Sequence, residues 1–301
     1  MAALLLIIFL IPATAPAQDL PGEGKTVKPC YNGIVEELFQ LLVVNKGLER
    51  LGYKVKEPME LEITAMHLAV GQGDADYNAN SWIPMHNAFY ERVGGEGTVT
   101  RIGTLVEGAV QGYLVDKKTA EKYGIKTIND LTDPKLAGLF DADGDGKADL
   151  TGCNPGWGCE RVIEHHMKAY NLGNTVTHNQ GSYFALIADT IAKYKAGKPV
   201  LYYTWSPQWV GGVLVPGKDV TWLEVTHTAL PSGEEGANTK TRDGKNLGFS
   251  VNSIHVFANN TFLQKNPAAK RFFELARIPI NDIGAQNLKM RDGEKSVKDI
   301  N

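Results

Sequence analysis

The chain reads as an α/β protein with mostly parallel sheets. The β-rich run "GAVQGYLVDKK" (108–118) leads into a helical pattern over 118–123, and "NSIHVFANN" (252–260) leads into another over 261–276. A third helical pattern, "YFALIADTIAKYKAG" (183–197), precedes the apolar strand "PVLYYTW" (199–205). Strands alternating with helices of this length form sheets covered by helices. At 301 residues, 43% hydrophobic, the chain has ordinary globular composition and room for two domains or one large one.

From the start, "MAALLLIIFLIPATAPAQDL" holds an apolar run of about ten residues, half the ~20 that a membrane span needs. Ala15-Pro16-Ala17 then fits a secretory cleavage site, making 1–17 a signal peptide and Gln18 the mature N-terminus. No Lys or Arg precedes the run, so the reading expects the true start further upstream. Residues 34–51 place Ile34, Leu38, Leu41, Leu42, Leu48 and Leu51 at helical spacing. "YKVKEPMELEIT" (53–64) reads as extended, and "GQGDADYNANSW" (71–82) as a loop by its Gly, Asp and Asn content. A formal net charge of −3 argues against nucleic acid, which needs a concentrated positive field.

Three stretches carry chemistry. In "NSWIPMH", Pro84 suits the first turn of a helix, putting Trp82 just before it and His86 within that turn. Taken alone, the two read as a packing residue and a surface residue. In "GCNPGWGCERVIEHHMKAY", Ile163 and Met167 share one face of a helix starting near Cys159 or Glu160. The N–H groups of Gly158, Cys159 and Glu160 are then free helix-start donors that favour an anion. In an oxidising compartment Cys153 and Cys159 read as a local disulfide; the rival is a metal site with His165 and His166, whose spacing is not a usual zinc pattern. Cys30 is left over as a small buried residue. Third, the strand in "YYTWSPQWV" ends at Trp205, stopped by Ser206-Pro207, and ligands of open α/β sheets gather at carboxyl ends of strands. Trp209 and Trp222 read as packing residues.

Aromatic faces favour a cation that cannot donate hydrogen bonds, at ~0.5–2 kcal/mol per ring. Histidine and helix-start amides favour a carboxylate. The implied ligand is a small zwitterion with a methylated nitrogen.

The motifs "NSWIPMHNAFY", "GYLVDKKTA", "DADGDGKADLTGCNPGWGCE", "NTVTHNQG", "GKPVLYYTWSPQWV" and "KNPAAKRFFELA" closely resemble the periplasmic glycine betaine/proline betaine-binding proteins of osmoprotective ABC uptake systems. The resemblance covers nearly the whole mature chain. It implies a two-lobed periplasmic binding protein (type II, Venus flytrap) with the ligand cleft between lobes: lobe A from 18–113 plus 252–301, lobe B from 114–251. It implies an aromatic box of Trp82, Trp157 and Trp205, carboxylate contacts from the His86 side chain and the Gly158 and Cys159 amides, and a Cys153–Cys159 disulfide. Its partners would be glycine betaine or a similar small zwitterion and the permease subunits, with the protein a monomer needing no cofactor. Members of the family continue past the point matching Asn301, so the resemblance implies a fragment whose closing helix would lie beyond Asn301, and Cys30 has no family role. The residues do not rank glycine betaine, proline betaine, choline-like and carnitine-like ligands.

"DADGDGKAD" adds a separate expectation. Asp141, Asp143, Asp145 and Asp149, with the Lys147 carbonyl, have the spacing of a short calcium loop, although Gly152 stands where a complete loop has Glu. A structural calcium ion and a solvated acidic turn are both open. Two other function classes remain: an exported enzyme acting on a methylated amine, for which no catalytic motif is visible, and a calcium-stabilised adhesive protein, favoured only by this loop.

Overall fold

The computed structural model describes residues 19–294; the expected signal peptide (1–17), the expected mature N-terminus Gln18 and residues 295–301 lie outside the described residues. Short strands β1 (Thr26–Val27) and β2 (Cys30–Tyr31) lead to helix α1 (Val35–Arg50), matching the expected helix. Leu41, Val44 and Leu48 form its inward stripe, each with no exposed surface. The extended stretch that follows supplies β3 (Lys54–Val55) and β4 (Met59–Glu60), parallel to β1 and β2 respectively.

The expected loop over 71–82 is a correction. Helix α2 (Ile63–Gln72) is capped by Gly73 at φ +83°, and strand β5 (Tyr77–Ile83) follows, buried along almost its whole length. Its polar side chains are spent internally: Asn78 Nδ2 donates to the Cys30 carbonyl at 3.0 Å, and its Oδ1 accepts from the Asn80 N–H at 2.7 Å. A strand buried with satisfied amides carries no hydrophobic signature. Pro84 is also corrected: helix α3 (Asn87–Arg92) starts later, and His86 takes its N-cap position.

Strand β6 (Val99–Asp116) is the longest, and helices α4 (Lys117–Tyr123) and α5 (Pro134–Ala137) follow it. Then come β7 (Ala148–Thr151), α6 (Gly158–Ala169), β8 (Val176–Asn179), α7 (Tyr183–Lys195), β9 (Leu201–Ser206), α8 (Val210–Val213), β10 (Val220–Leu223) and β11 (Asn252–Asn259). The expected single helix over 261–276 is two, α9 (Asn260–Lys265) and α10 (Pro267–Leu275), because the residue before a proline is pushed out of helical conformation. Helix α11 (Ile280–Arg291) completes the described chain.

The main sheet runs β5-β11-β6-β9-β7-β8, with β10 also on β6. It corrects the mostly parallel expectation. β5, β6 and β11 pair antiparallel, as do β9 and β10 with β6, and only β7–β8 and β7–β9 are parallel. Helix–strand alternation signals crossovers but not the direction of strands that skip them. β6 divides its length between two sets of partners. From Val99 to Ala109 it pairs with β11, and from Val110 to Val115 with β9.

Candidate ligand-binding site

β5 delivers Trp82 at its end, and the turn through Pro84 and Met85 brings His86 back beside it. The Trp82 backbone N–H donates to His86 Nδ1 at 3.2 Å, which leaves the neutral ring's proton on Nε2. Burial holds the His86 pKa well below the usual imidazole range, with His67, Arg101 and Arg161 pressing the same way. His86 is thus an uncharged donor in fixed orientation. Arg101 steadies it from behind, donating from Nη2 to the His86 carbonyl at 2.8 Å and from Nη1 to Asn87 Oδ1 at 2.6 Å. The Trp82 indole donates to Asn80 Oδ1, which fixes the ring.

On the facing side, Cys153 and Cys159 form a disulfide and close a loop whose turn residue, Gly156, has φ +86°, a conformation that favours glycine. Trp157 is the N-cap of α6, so Gly158, Cys159 and Glu160 are its first residues and their N–H groups have no intrahelical acceptor. Gly158 comes against Met85: a Cβ there would lie 2.5 Å from Met85 Cγ. Trp205, on β9, meets Trp157 with ring centroids 5.9 Å apart at 73°, and Tyr183 backs it at 4.6 Å.

All six expected residues, Trp82, His86, Trp157, Gly158, Cys159 and Trp205, line one cavity of about 50 Å³. One water needs roughly 10–15 Å³, so the space admits a small molecule. The tryptophans are walls rather than surface residues; Trp82 and Trp205 are only 6% and 7% exposed.

Sequence reasoning missed part of the lining. Gln111 on β6 accepts from the Tyr203 hydroxyl at 2.6 Å, and its Nε2 is buried with no partner among the described residues. A lone amide inside "GAVQGYLV" was the available signal. Glu37, in the first turn of α1, accepts from the Asn32 N–H at 2.7 Å. Burial pushes its carboxyl up to about 8.

The rival cysteine–histidine metal site is not assembled: both cysteines are in the disulfide, and His166 Nδ1 is hydrogen-bonded to the Tyr113 hydroxyl at 2.9 Å. Cys30 is free and buried. Among the described residues, the metal-capable group is Asp141, Asp143 and Asp149, whose carboxylate oxygens lie within 4.8 Å of one another. Asp145 stands outside it and accepts from the Lys147 N–H at 2.8 Å.

Aromatic faces, helix-start amides and a neutral histidine around one cavity have the chemistry that suits a methylated zwitterion. Residues 25–300 match the family described as the substrate-binding domain of ABC-type glycine betaine transport systems. The chain belongs to this family. A glycine betaine-binding periplasmic protein of Dickeya dadantii, OusX, is 52% identical over 300 residues, covering 100% of this chain and 90% of that protein. The glycine betaine/proline betaine-binding periplasmic protein of Escherichia coli is 53% identical over 291 residues, covering 97% and 88%. Among solved structures, lactococcal OpuAC, closed and complexed with glycine betaine, matches with a TM-score of 0.70 at 20% identity over 92% of this chain and 93% of that one. ProX of Borrelia burgdorferi matches at 0.71 and 19% identity over 92% and 91%. The fold is therefore that of the two-lobed type II periplasmic binding proteins.

Proposed function

We propose that this chain captures glycine betaine, or a related betaine such as proline betaine, in the periplasm and delivers it to the permease of an ABC transporter for osmoprotection. The observation that carries the reading is the convergence of Trp82, Trp157 and Trp205 with His86 and the Gly158 and Cys159 amides on one cavity. The rings take the quaternary ammonium, whose methyl groups offer no hydrogen-bond donors. His86 Nε2–H and the two amides take the carboxylate. Stapling Trp157 to those amides holds both ends of the site at fixed spacing and reduces the entropy cost of binding.

Lobe A comprises 18–113 with 252–301, and lobe B 114–251. The change of β6 partners at Ala109 and Val110 supports a crossing in this stretch. Trp82 and His86 then belong to lobe A, and Trp157 and Trp205 to lobe B. The ligand favours the closed form because only that form offers both sets of contacts. The protein is a monomeric binder rather than an enzyme, exported by a cleaved signal peptide. For the acidic loop two readings stay open, a structural calcium ion on Asp141, Asp143 and Asp149, with Asp145 and the Lys147 carbonyl as the further ligands its spacing offers, and a solvated acidic turn.

Calorimetric titration with glycine betaine, proline betaine, choline, carnitine and glycine tests the reading; the betaines bind and are recovered unchanged, and glycine, whose ammonium would lose its hydration while facing three aromatic rings with its N–H donors, binds poorly. Trp205→Phe keeps part of the affinity and Trp205→Leu loses most of it. Wild-type affinity in the leucine variant would eliminate the aromatic box.

A further inference from the structure

Glu37 supplies the one carboxyl group among the residues lining the cavity, and no lysine or arginine lines it. The side chain is 3% exposed. Its partners among the described residues are uncharged, the Asn32 N–H and the Asn78 side chain. Taking a carboxylate out of water without a counter-charge is unfavourable, so the group stays protonated while the cavity holds no cation. The aromatic walls Trp82, Trp157 and Trp205 bound the same space, which is where a quaternary ammonium would bring the missing positive charge.

We propose that Glu37 is the acidic wall of the ligand site: it serves as counter-charge to the ligand's quaternary ammonium and releases its proton to solvent when that cation enters. The inference rests on the betaine-binding reading above. No bond other than Glu37 O–H breaks: the zwitterion brings no net charge, its carboxylate is taken by His86 and the helix-start amides, and the departing proton leaves the cavity one charge more negative.

The sign follows from the neighbours. On β2, Cys30 and Tyr31 are both held neutral, the thiol pushed well above its usual range and the phenol up to about 12, with Glu60 accepting the phenol proton. Asp76 is a more distant anion that acts on Cys30. β5 contributes the uncharged Asn78 and Asn80. From α2 comes His67, lowered to about 4, and across the cavity stands neutral His86 with Arg101 behind it. Glu37, at about 8, is the member of this set poised to titrate near neutral pH. A cation depresses its pKa, so binding releases a proton and affinity rises with pH until about pH 8, then levels. The limit is tenfold in affinity per pH unit for one full proton. A carboxylate arriving beside His86 would do the reverse and take up a proton.

The experiment is calorimetric titration of the protein with glycine betaine at pH 7.5, in two buffers of different ionisation enthalpy, for wild type and Glu37→Gln. Wild type is expected to release a substantial fraction of a proton and to gain affinity between pH 6.5 and 8. E37Q is expected to exchange none, to lose the pH dependence and to bind tenfold or more weakly at pH 8.5. If E37Q does not fold, the wild-type proton count decides alone. Binding by wild type without proton release, or with uptake, overturns the Glu37 assignment and leaves the betaine reading standing. Absence of binding by folded wild type to both glycine betaine and choline overturns the functional reading itself.

Discussion

Gly158→Ala tests whether the cavity closes by bringing α6 against the Trp82–His86 turn. The new Cβ would sit 2.5 Å from Met85 Cγ, 3.1 Å from its Sδ and 3.5 Å from its carbonyl oxygen. Carbon atoms pack best at ~3.5–4.0 Å, so about 1 Å of separation has to be found. Met85 has little room to give it: its N–H donates to Asn252 Oδ1 at 3.0 Å, its side chain is 7% exposed, and Cγ is only one bond from the backbone-anchored Cβ. Overpacking of this kind costs ~1–3 kcal/mol. If Gly158 and Met85 are in different lobes, the strain falls on the closed form and not on either lobe alone. The cost then appears in affinity, as a loss of about 5- to 150-fold for glycine betaine at 1.4 kcal/mol per decade. The ligand-free melting temperature should hardly move. The assay is a calorimetric Kd with a ligand-free thermal melt for wild type, Gly158→Ala, Met85→Ala and the double variant. The double variant should recover part of what the first loses, a coupling of ~0.5–3 kcal/mol between contacting residues. Unchanged affinity in Gly158→Ala, or a fall in melting temperature that tracks the affinity loss, would refute closure through this contact.

Other expectations concern separate parts of the molecule. Reducing Cys153–Cys159 should weaken betaine binding more than it destabilises the fold, since a disulfide across so short a loop contributes roughly 2 kcal/mol; thiol counting on unfolded, unreduced protein should find Cys30 alone. Chelation should lower the melting temperature and leave ligand affinity intact if the Asp141–Asp143–Asp149 group holds calcium, whereas an indifferent melting curve would leave a solvated acidic turn. His86→Ala should weaken glycine betaine far more than choline, which shares the cation but lacks the carboxylate. Equal losses for the two ligands would make His86 a packing residue.

What could be read from the sequence, and what could not, divides along a physical line. Taken alone Trp82 reads as a packing residue; it was the combination with Trp157 and Trp205, near Pro84, Gly156 and Pro207, together with the family resemblance, that grouped the three rings, and the structure brings them onto one cavity. The helix-start amides were legible because the polar-apolar period of α6 fixes its start to within a residue or two. Strand β5 was hidden by the residues that make it useful. Asn78 and Asn80 are buried yet satisfied, by the Cys30 carbonyl, by each other and by the Trp82 indole, so a wall of the cavity has the composition of a loop. Strand direction was hidden for another reason: β6 and β11 form the antiparallel centre through pairing between residues about 150 positions apart, such as Asn252 and Ala109, which no local period encodes. Glu37 was legible but went unread: with Ile34, Leu38 and Leu41 it falls at i, i+3, i+4 and i+7, on the inward stripe of α1, and the structure leaves it 3% exposed on a cavity wall. Local rules fail at Asn80, Gln111 and Glu37, which line the cavity, because a site for a polar ligand needs polar groups held out of water, and a core made by hydrophobic burial alone excludes them. A chain optimised only for stability would replace these three with apolar residues, so their burial on the cavity wall supports a cavity built for a charged ligand.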